Sequence, residues 1–368
     1  MSSPSDPSGL GPASRAGERR PVRRPARTAI IVAWLTLWLL VALHFALAGA
    51  RPASEAPPVR AVESIGMTVA DMDRSVAFYS RALAFDKISD VEVAGESYAR
   101  LQGVAGLRAR VVRLRLGDEE LELTQYRSAP GRPIPGDSRS HDRWFQHVAI
   151  IVSDMDLAYR WLRGLKVQHV SPAPQRLPDW NPVAGGIRAF YFKDPDGHVL
   201  EVLEFPPGTG SPKWHESSDR LFMGVDHTAI VVADTERSLE FYRDRLGLTV
   251  AGRSDNHGPE QERLNNVPGA RLRITTLRAG TGPGIELLEY VTPRDGRPFP
   301  AEAQASDLVH WQPRLASDDV GAALRRLGAA GLGLVSPGVV TLQDPMLGFR
   351  AGALMRDPDG HALQLVAR

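Results

Sequence analysis

VADMDRSVAFY, at residues 69–79, returns as VADTERSLEFY at residues 232–242, which is 163 residues further along the chain (232 − 69). A second motif, DPDGH, occurs at residues 194–198 and again at 357–361, with the same separation (357 − 194 = 163). Two unrelated segments that share one offset indicate that the region containing both has been duplicated.

Each half contains a weaker repeat, in which an apolar, strand-like run leads to an aspartate that can cap the following helix. Short strands follow each helix, and the Asp-Pro-Asp-Gly segments have the composition of a type I turn before the last strand of each half. The sequence therefore predicts an α+β fold of four βαβββ modules in two pairs, with module openings at residues 63–71, 147–154, 226–234 and 309–318.

The composition of the N-terminal region predicts where the protein is located. Residues 29–50 are apolar except for Thr36 and His44, and a helix of this length spans about 33 Å, enough for a bilayer core of about 30 Å. Six arginines precede this segment and predict that the N-terminus stays in the cytoplasm. We therefore expect domains outside the cytoplasm, either anchored to the membrane by this helix or exported after signal cleavage.

The predicted layout has six parts: a basic tail (1–28), a transmembrane or signal segment (29–50), a linker (51–60), a first domain (61–206), a second linker (207–221) and a second domain (222–368).

Charge and cysteine content exclude several classes of site. The formal net charge is +1 and the chain has no cysteine, so disulfides, thiolate metal sites and a cysteine nucleophile are excluded. Outside the N-terminal tail no basic surface is expected, and nucleic acid is not an expected partner. A small-molecule substrate is the expected partner, and because four modules can complete their pairing within one chain, a monomer is plausible.

The module openings HVAIIVSD and VDHTAIVVAD, the RSxxFY helices and the closing DPDGHVLE and DPDGHALQ segments resemble the vicinal oxygen chelate superfamily. That superfamily includes glyoxalase I, extradiol dioxygenases and bleomycin-resistance proteins. The resemblance implies that two modules curve a sheet around a cavity. It also implies a metal ion bound through one residue on the first strand and one on the last strand of each module.

The resemblance also implies which residues bind the metal. The first-strand position falls seven residues before the helix-opening aspartate or its equivalent, and the last-strand position is the first acidic or amide residue of the closing strand. The first pair of modules is then expected to bring together Ser64, Glu122, His147 and Glu201, and the second pair His227, Glu286, His310 and Gln364.

These donors suit a divalent ion such as Zn, Ni, Mn, Fe or Co. Serine is a poor ligand, so the second set is the stronger candidate and the first set offers three ligands. In the family a last-strand glutamate acts as general base, which makes Glu201 and Glu286 the candidate catalytic residues.

The expected function is a glyoxalase-like, metal-dependent lyase or isomerase that acts on a small substrate with adjacent oxygens. Two alternatives stay open: non-catalytic binding of a small molecule, as in bleomycin-resistance proteins, and extradiol ring cleavage. Trp180 lies in a loop rich in Pro and Gly that is expected to close over a pocket. His198 and His361 are expected to be solvent-facing turn residues.

Overall fold

The computed structural model describes residues 57–128, 130–216, 219–328, 333–343 and 346–368. The basic tail, the transmembrane or signal segment and most of the first linker lie outside these residues. Within the described part of the chain, no helix is both long enough and apolar enough to cross a membrane.

The first repeat forms two modules. Module 1 consists of β1 (Ala61–Thr68), α1 (Met72–Leu83), β2 (Asp86–Ala94), α2 (Glu96–Gln102), β3 (Arg108–Leu116) and β4 (Glu119–Tyr126). Module 2 consists of β5 (Gln146–Val152), α3 (Met155–Gly164), β6 (Gln168–His169), β7 (Gln175–Arg176), β8 (Arg188–Lys193) and β9 (Val199–Glu204).

The second repeat follows a linker that contains a 3-10 turn, Pro212–His215. Module 3 consists of β10 (Phe222–Val232), α4 (Thr235–Leu239, continued by the π-helical segment Glu240–Arg245), β11 (Thr249–His257), α5 (Pro259–Asn265), β12 (Arg271–Arg278) and β13 (Gly284–Thr292). Module 4 consists of β14 (Trp311–Ala316), α6 (Val320–Leu327), β15 (Gly333–Leu334), β16 (Val340–Thr341), β17 (Ala351–Arg356) and β18 (Ala362–Ala367).

The strands form two mixed sheets, and each sheet combines modules from different repeats. The first sheet has the order β15-β17-β18-β14-β1-β4-β3-β2, and the second has the order β11-β12-β13-β10-β5-β9-β8-β6. The antiparallel pairs at their centres, β1 with β14 and β10 with β5, join module 1 to module 4 and module 2 to module 3.

The prediction that residues 61–206 and 222–368 each form their own sheet is therefore wrong. A module leaves one edge of its first strand unpaired, and any other module can satisfy those backbone groups equally well. The repeat alone consequently does not determine which modules pair.

The helices, unlike the strands, pack against each other across the two modules of one repeat. One apolar core contains Tyr79 and Leu83 from α1 together with Ala158 and Leu162 from α3, so modules 1 and 2 pack through their helices. A second core joins the helices of modules 3 and 4 in the same way. Each repeat is thus continuous in its helical layer and split between the two sheets.

Aspartate side chains cap the first helix of every module. Asp71, Asp154 and Asp234 accept backbone N–H bonds in the first turn, as the sequence predicts. In module 4 the cap is Asp319, which accepts from the N–H of Ala322 at 2.8 Å, and not the preceding Asp318. This shift of the helix start changes which residue of β14 occupies the ligand position.

The first and last residues of each DPDGH turn, an aspartate and a histidine, are buried and link the modules of each repeat. His198 binds the Asp194 carboxylate through Nδ1 at 2.9 Å, and the Tyr79 hydroxyl donates to the same carboxylate at 3.1 Å. In the second repeat His361, Asp357 and Tyr242 form the same arrangement. The prediction that His198 and His361 face solvent is wrong, because each is at least 98% buried.

Candidate metal centre

His147, Glu201 and His227 of the second sheet place ligand-type atoms within 4.8 Å of one another, and Glu286 approaches this group at His227. His147 lies on β5, Glu201 on β9, His227 on β10 and Glu286 on β13. These strands are neighbours in the order β13-β10-β5-β9, so the two histidines lie on the inner pair and the two glutamates on the outer pair.

Short distances separate the donor atoms of this group. His147 Nε2 lies 3.2 Å from Glu201 Oε2 and 3.4 Å from His227 Nε2. His227 Nε2 in turn lies 3.4 Å from Glu286 Oε2 and 3.7 Å from Glu201 Oε2.

This donor set fits a divalent cation. Two ligand atoms that are each about 2.1 Å from one ion lie about 3.0–3.4 Å apart for bond angles of about 90–109°. Two imidazoles and two carboxylates are a common environment for borderline ions such as Zn, Ni, Mn, Fe and Co. Placing two carboxylates in a largely buried site is also costly unless positive charge offsets them.

His227 has a partner behind it. Asp226 Oδ2 lies 3.0 Å from His227 Nδ1, and Asp226 in turn accepts bonds from Arg278 at 2.9 Å and from the indole of Trp214 at 3.0 Å. Neighbouring strand residues normally point to opposite faces, but β10 carries a register shift between Val225 and His227. That bulge allows the side chains of Asp226 and His227 to meet.

The charges around His227 favour a cation. Burial lowers the pKa of His227, but the carboxylates of Glu286, Asp226 and Glu201 outweigh it and raise the pKa to about 9. Burial also opposes ionisation of Asp226, yet its bonds from His227 and Arg278 hold the pKa well below the usual range. The site therefore carries an excess of negative potential that a bound ion would neutralise.

The two glutamates have different surroundings. The Glu201 side chain is 5% exposed and its Oε2 approaches both histidines. The Glu286 side chain is 17% exposed, and its Oε1 accepts a 2.6 Å hydrogen bond from Thr276 on β12. Glu286 is thus the more accessible carboxylate, with one oxygen fixed by a hydroxyl and the other directed to the histidines.

The centre lies in a cavity of about 640 Å³ that all four side chains line. A loop from module 2 covers part of it, and Leu177, Val183, Ala184 and Ile187 of this loop line the cavity. Trp180 lies on the same loop but is 53% exposed and stacks on His257, with ring centroids 4.4 Å apart. The loop therefore covers the cavity as expected, while the Trp180 side chain fixes the loop to β11 from outside.

The first sheet has no equivalent cation site in the described residues. Its corresponding positions are Ser64, Glu122, Gln312 and Gln364, and the guanidinium of Arg314 forms a buried ion pair with Glu122. Arg314 also lies over the Phe349 ring, 4.9 Å from its centroid, within an apolar cluster. A protein cation and apolar side chains occupy the space that the second sheet leaves open.

The expected ligand sets are therefore wrong in their grouping. His147 and Glu201 join His227 and Glu286, and not Ser64 and Glu122. The structure does not bring Gln364 or His310 to the cavity that holds His227. Because Asp319 caps α6, the residue seven positions earlier is Gln312 (319 − 7 = 312), and His310 instead lies beside it, 2.8 Å from the Gln312 amide oxygen.

Comparisons with known proteins agree with this architecture. The family model described as "Glyoxalase/Bleomycin resistance protein/Dioxygenase superfamily" matches residues 61–202 and again residues 224–365. The chain belongs to this superfamily. The two matches follow the sequence repeat, whereas the sheets of this member combine modules across it.

A curated relative within the superfamily is 2-epi-5-epi-valiolone epimerase from Actinomyces sp. It is 34% identical over 174 residues, which cover 45% of this chain and 90% of the relative. Glyoxalase I from Zea mays has a similar structure, with a TM-score of 0.53 at 16% identity over 84% of this chain and 92% of that chain. A variant of the same maize enzyme gives a TM-score of 0.57, also at 16% identity, over 84% and 94% of the two chains. At these identities the maize structures support the fold alone.

Sequence reasoning missed three residues that support the centre. Asp226 precedes a predicted ligand and was assigned no role, because the bulge that turns it toward His227 leaves no clear trace in the sequence. Thr276 and Arg278 come from β12, a strand that contributes no ligand. Only the strand pairing shows that they lie beside Glu286 and Asp226.

Proposed function

We propose that this protein is a divalent-metal-dependent isomerase or epimerase that moves a proton on a carbon next to a carbonyl group. The observation that carries the proposal is the strand order around the centre. Glu201 and Glu286 come from the two outer strands and flank the histidine pair, so a substrate at the centre meets a carboxylate from either side.

His147, His227, Glu201 and Glu286 would hold the cation. When bound, the cation would supply Lewis acidity toward adjacent oxygens of the substrate and so favour negative charge on the carbonyl oxygen. The name of the curated relative, an epimerase, supports this class of reaction.

Glu286 is the proposed general base. When its Oε2 is not holding the cation, that oxygen takes the proton from the carbon, and the electron pair left behind spreads onto the neighbouring carbonyl oxygen. Thr276 holds the other carboxylate oxygen and fixes the orientation of the group. Return of the proton from Glu286 to the same face of the carbon regenerates the substrate. For inversion, Glu201 that has been protonated by solvent donates its proton to the opposite face while Glu286 keeps the proton it took, and both carboxyl groups then exchange with solvent to restore the starting state. Return of the proton to the adjacent carbon gives an isomer.

Exchange of substrate protons with solvent tests the proposal. We expect the full-length protein, loaded in turn with Zn, Ni, Mn, Fe or Co, to exchange the carbon-bound proton of an α-hydroxy ketone for deuterium in D₂O, as followed by proton NMR. Glu286→Gln should slow exchange by about 10²–10⁴-fold, because an amide does not act as a base. Glu204→Gln, a change three residues beyond Glu201 on β9, is the matched control and should exchange normally.

Two outcomes would overturn the proposal. Ligand binding without exchange under any metal would indicate a non-catalytic binding protein. Oxygen-dependent ring opening of a catechol would indicate a dioxygenase, a reaction for which the two histidines and one glutamate suffice.

A further inference from the structure

The wall of the cavity formed by β11 and α5 carries a chain of buried amide side chains. Asn181, Asn256, Gln261 and Asn265 are each at least 96% buried and follow one another in hydrogen-bonding order. Asn256 and Gln261 line the cavity that contains the metal centre, whereas Asn181 and Asn265 end the chain on either side.

The backbone fixes the direction of this amide chain. The side-chain oxygen of Asn181, Oδ1, accepts from the backbone N–H groups of Val183 and Ala184, at 3.0 and 2.9 Å. Its side-chain nitrogen, Nδ2, must therefore donate to the next residue. That nitrogen donates to Asn256 Oδ1 at 2.8 Å, and Asn256 Nδ2 donates to Gln261 Oε1 at 3.0 Å.

The hydrogen-bonding groups that stay unused in this row of amide side chains are N–H donors. The oxygen of Asn256 already accepts from Asn181 and from the Ser254 hydroxyl. Each amide nitrogen has two N–H groups, and those of Asn256 and Gln261 each use one within the chain, which leaves one N–H per residue without a partner among the described residues. The wall therefore offers neutral N–H donors to a ligand oxygen.

The lysine and arginine side chains that line the cavity already form ion pairs with carboxylates. Arg278 pairs with Asp226 at 2.9 Å, Arg253 with Glu236 at 3.4 Å, and Lys213 with Glu119. These are the lysines and arginines that line the cavity in the described part of the chain. A carboxylate or phosphate buried at this wall, away from the metal centre, would meet only lysines and arginines that are already paired, which is costly.

The internal repeat shows that the amide wall accompanies the metal-ligand set. In module 1 the positions that correspond to Asn256 and Gln261 are Val93 (256 − 163) and Tyr98 (261 − 163). Both lie in the apolar cluster that fills the first sheet, where no cation site is present among the described residues. Asn256 and Gln261 are therefore replaced by non-amide residues on the first sheet, whereas Asn265 corresponds to another buried amide, Gln102 (265 − 163 = 102).

We infer that Asn256 and Gln261 are specificity-determining residues that select an uncharged, hydroxyl-rich ketone. The inference rests on the proposed function, because the amide wall faces the same cavity as the metal centre. Asn256 is two strands away from Glu286 and four residues further along the strand direction, which is on the order of 16 Å in the plane of the sheet. A bound molecule therefore contacts Asn256 with the end that is remote from the reacting carbon. Hydroxyl oxygens at that end accept from the two free N–H groups.

A set of three ligands tests the inference on the unmodified protein. The probes are 2-keto-myo-inositol, which carries hydroxyls around the whole ring; 2-hydroxycyclohexanone, which keeps only the adjacent oxygens; and 3-dehydroquinate, which adds a carboxylate. Binding to the full-length, cobalt-loaded protein is measured by calorimetry. We expect 2-keto-myo-inositol to bind at least about tenfold more tightly than either other probe.

A substitution tests whether Asn256 causes the preference for 2-keto-myo-inositol. Asn256→Val, which copies the residue at the repeated position, should weaken 2-keto-myo-inositol about tenfold and leave 2-hydroxycyclohexanone within about twofold. Tyr98→Phe changes the corresponding wall of the first sheet and should alter neither affinity.

The outcomes separate the two proposals. Equal binding of 2-keto-myo-inositol and 2-hydroxycyclohexanone, or tighter binding of 3-dehydroquinate, would overturn the inference while leaving the metal chemistry intact. If none of the probes binds in a cobalt-dependent manner, the proposed function fails and the inference fails with it. Should Asn256→Val not fold, the comparison of the three probes on the unmodified protein still decides.

Discussion

Asp226 supports the metal centre without being one of its candidate ligands. Its carboxylate holds His227 Nδ1, which leaves Nε2 free to face Glu201 and Glu286. Such a partner fixes the tautomer and ring orientation of a ligating histidine and makes it a stronger donor. His147 has no such partner for its buried Nδ1 within the described residues. The two histidines are therefore unequal ligands.

Asp226→Asn is predicted to lower the affinity for the metal by about 10–100-fold. An amide in this position cannot offer the negative charge that strengthens His227 as a ligand. Chelator competition measures the affinity, and the visible absorption of bound cobalt reports the change in ligand geometry.

The repeat supplies a matched control for this variant. Glu63 occupies the corresponding position of β1 (226 − 163 = 63) and pairs with Arg368 on the first sheet. Glu63→Gln should leave affinity and cobalt absorption unchanged. An Asp226→Asn protein with unaltered affinity would show that His227 binds without this support.

Residue-level expectations were most accurate where a short pattern determines geometry. The glutamates Glu201 and Glu286 are found at the predicted last-strand positions, and three of the four helix caps are correct. In module 4 two consecutive aspartates, Asp318 and Asp319, both satisfy the capping pattern. The sequence pattern does not distinguish them from the preceding Ser317, and counting seven residues back from Ser317 (317 − 7 = 310) gave His310 in place of Gln312.

At the level of elements, the buried aspartate and histidine of each DPDGH turn are titratable groups at the contact between two modules. Burial alone would lower the pKa of His361, but the charge and hydrogen bond of Asp357 outweigh burial and raise it. Burial likewise opposes ionisation of Asp357, yet its bonds from His361 and Tyr242 lower its pKa. Each group therefore favours the charged form of the other.

The sign of the pH dependence follows from these directions. A raised histidine pKa contributes stability that is complete below the ordinary value of 6.5 and is lost as pH rises through the folded-state pKa. A lowered aspartate pKa contributes stability that is complete above 3.8 and is lost as pH falls. Between these values the pair contributes fully.

His361→Asn is predicted to reduce the free energy of unfolding more at pH 6 than at pH 9, because the protonated histidine is what the variant removes. Urea unfolding at the two pH values measures the difference. His215→Asn, on the exposed linker turn, is the control and should cost the same at both. A His361→Asn cost that does not depend on pH would mean that His361 acts through packing and its backbone bond to Arg143.

At the level of the whole molecule, the crossed pairing makes the two repeats interdependent. Each repeat carries one half of both sheets, and His147 and Glu201 reach their partners only when the second repeat is present. This pairing was beyond sequence reasoning. The offset of 163 residues and the strand patterns are the same whether modules pair within a repeat or across repeats.

The separated halves, residues 1–216 and 219–368, are predicted not to bind metal as monomers, because each has only one histidine and one glutamate of the centre. Co-expression of the two halves should restore one ion per pair. Metal analysis after size-exclusion chromatography measures this. A monomeric half that retains an ion at the affinity of the whole chain would contradict the crossed arrangement.

The ion pair of Arg314 with Glu122 fills the first sheet, and modules 1 and 4, which build that sheet, lie at the two ends of the described chain. Modules 2 and 3 are consecutive, so the second sheet and its four ligand-type residues form one continuous segment of the chain. Removal of modules 1 and 4 would nevertheless take away α1 and α6 and uncover the apolar faces of α3 and α4 that pack against them. The sheet without a centre thus supplies the outer helices that keep the other sheet covered.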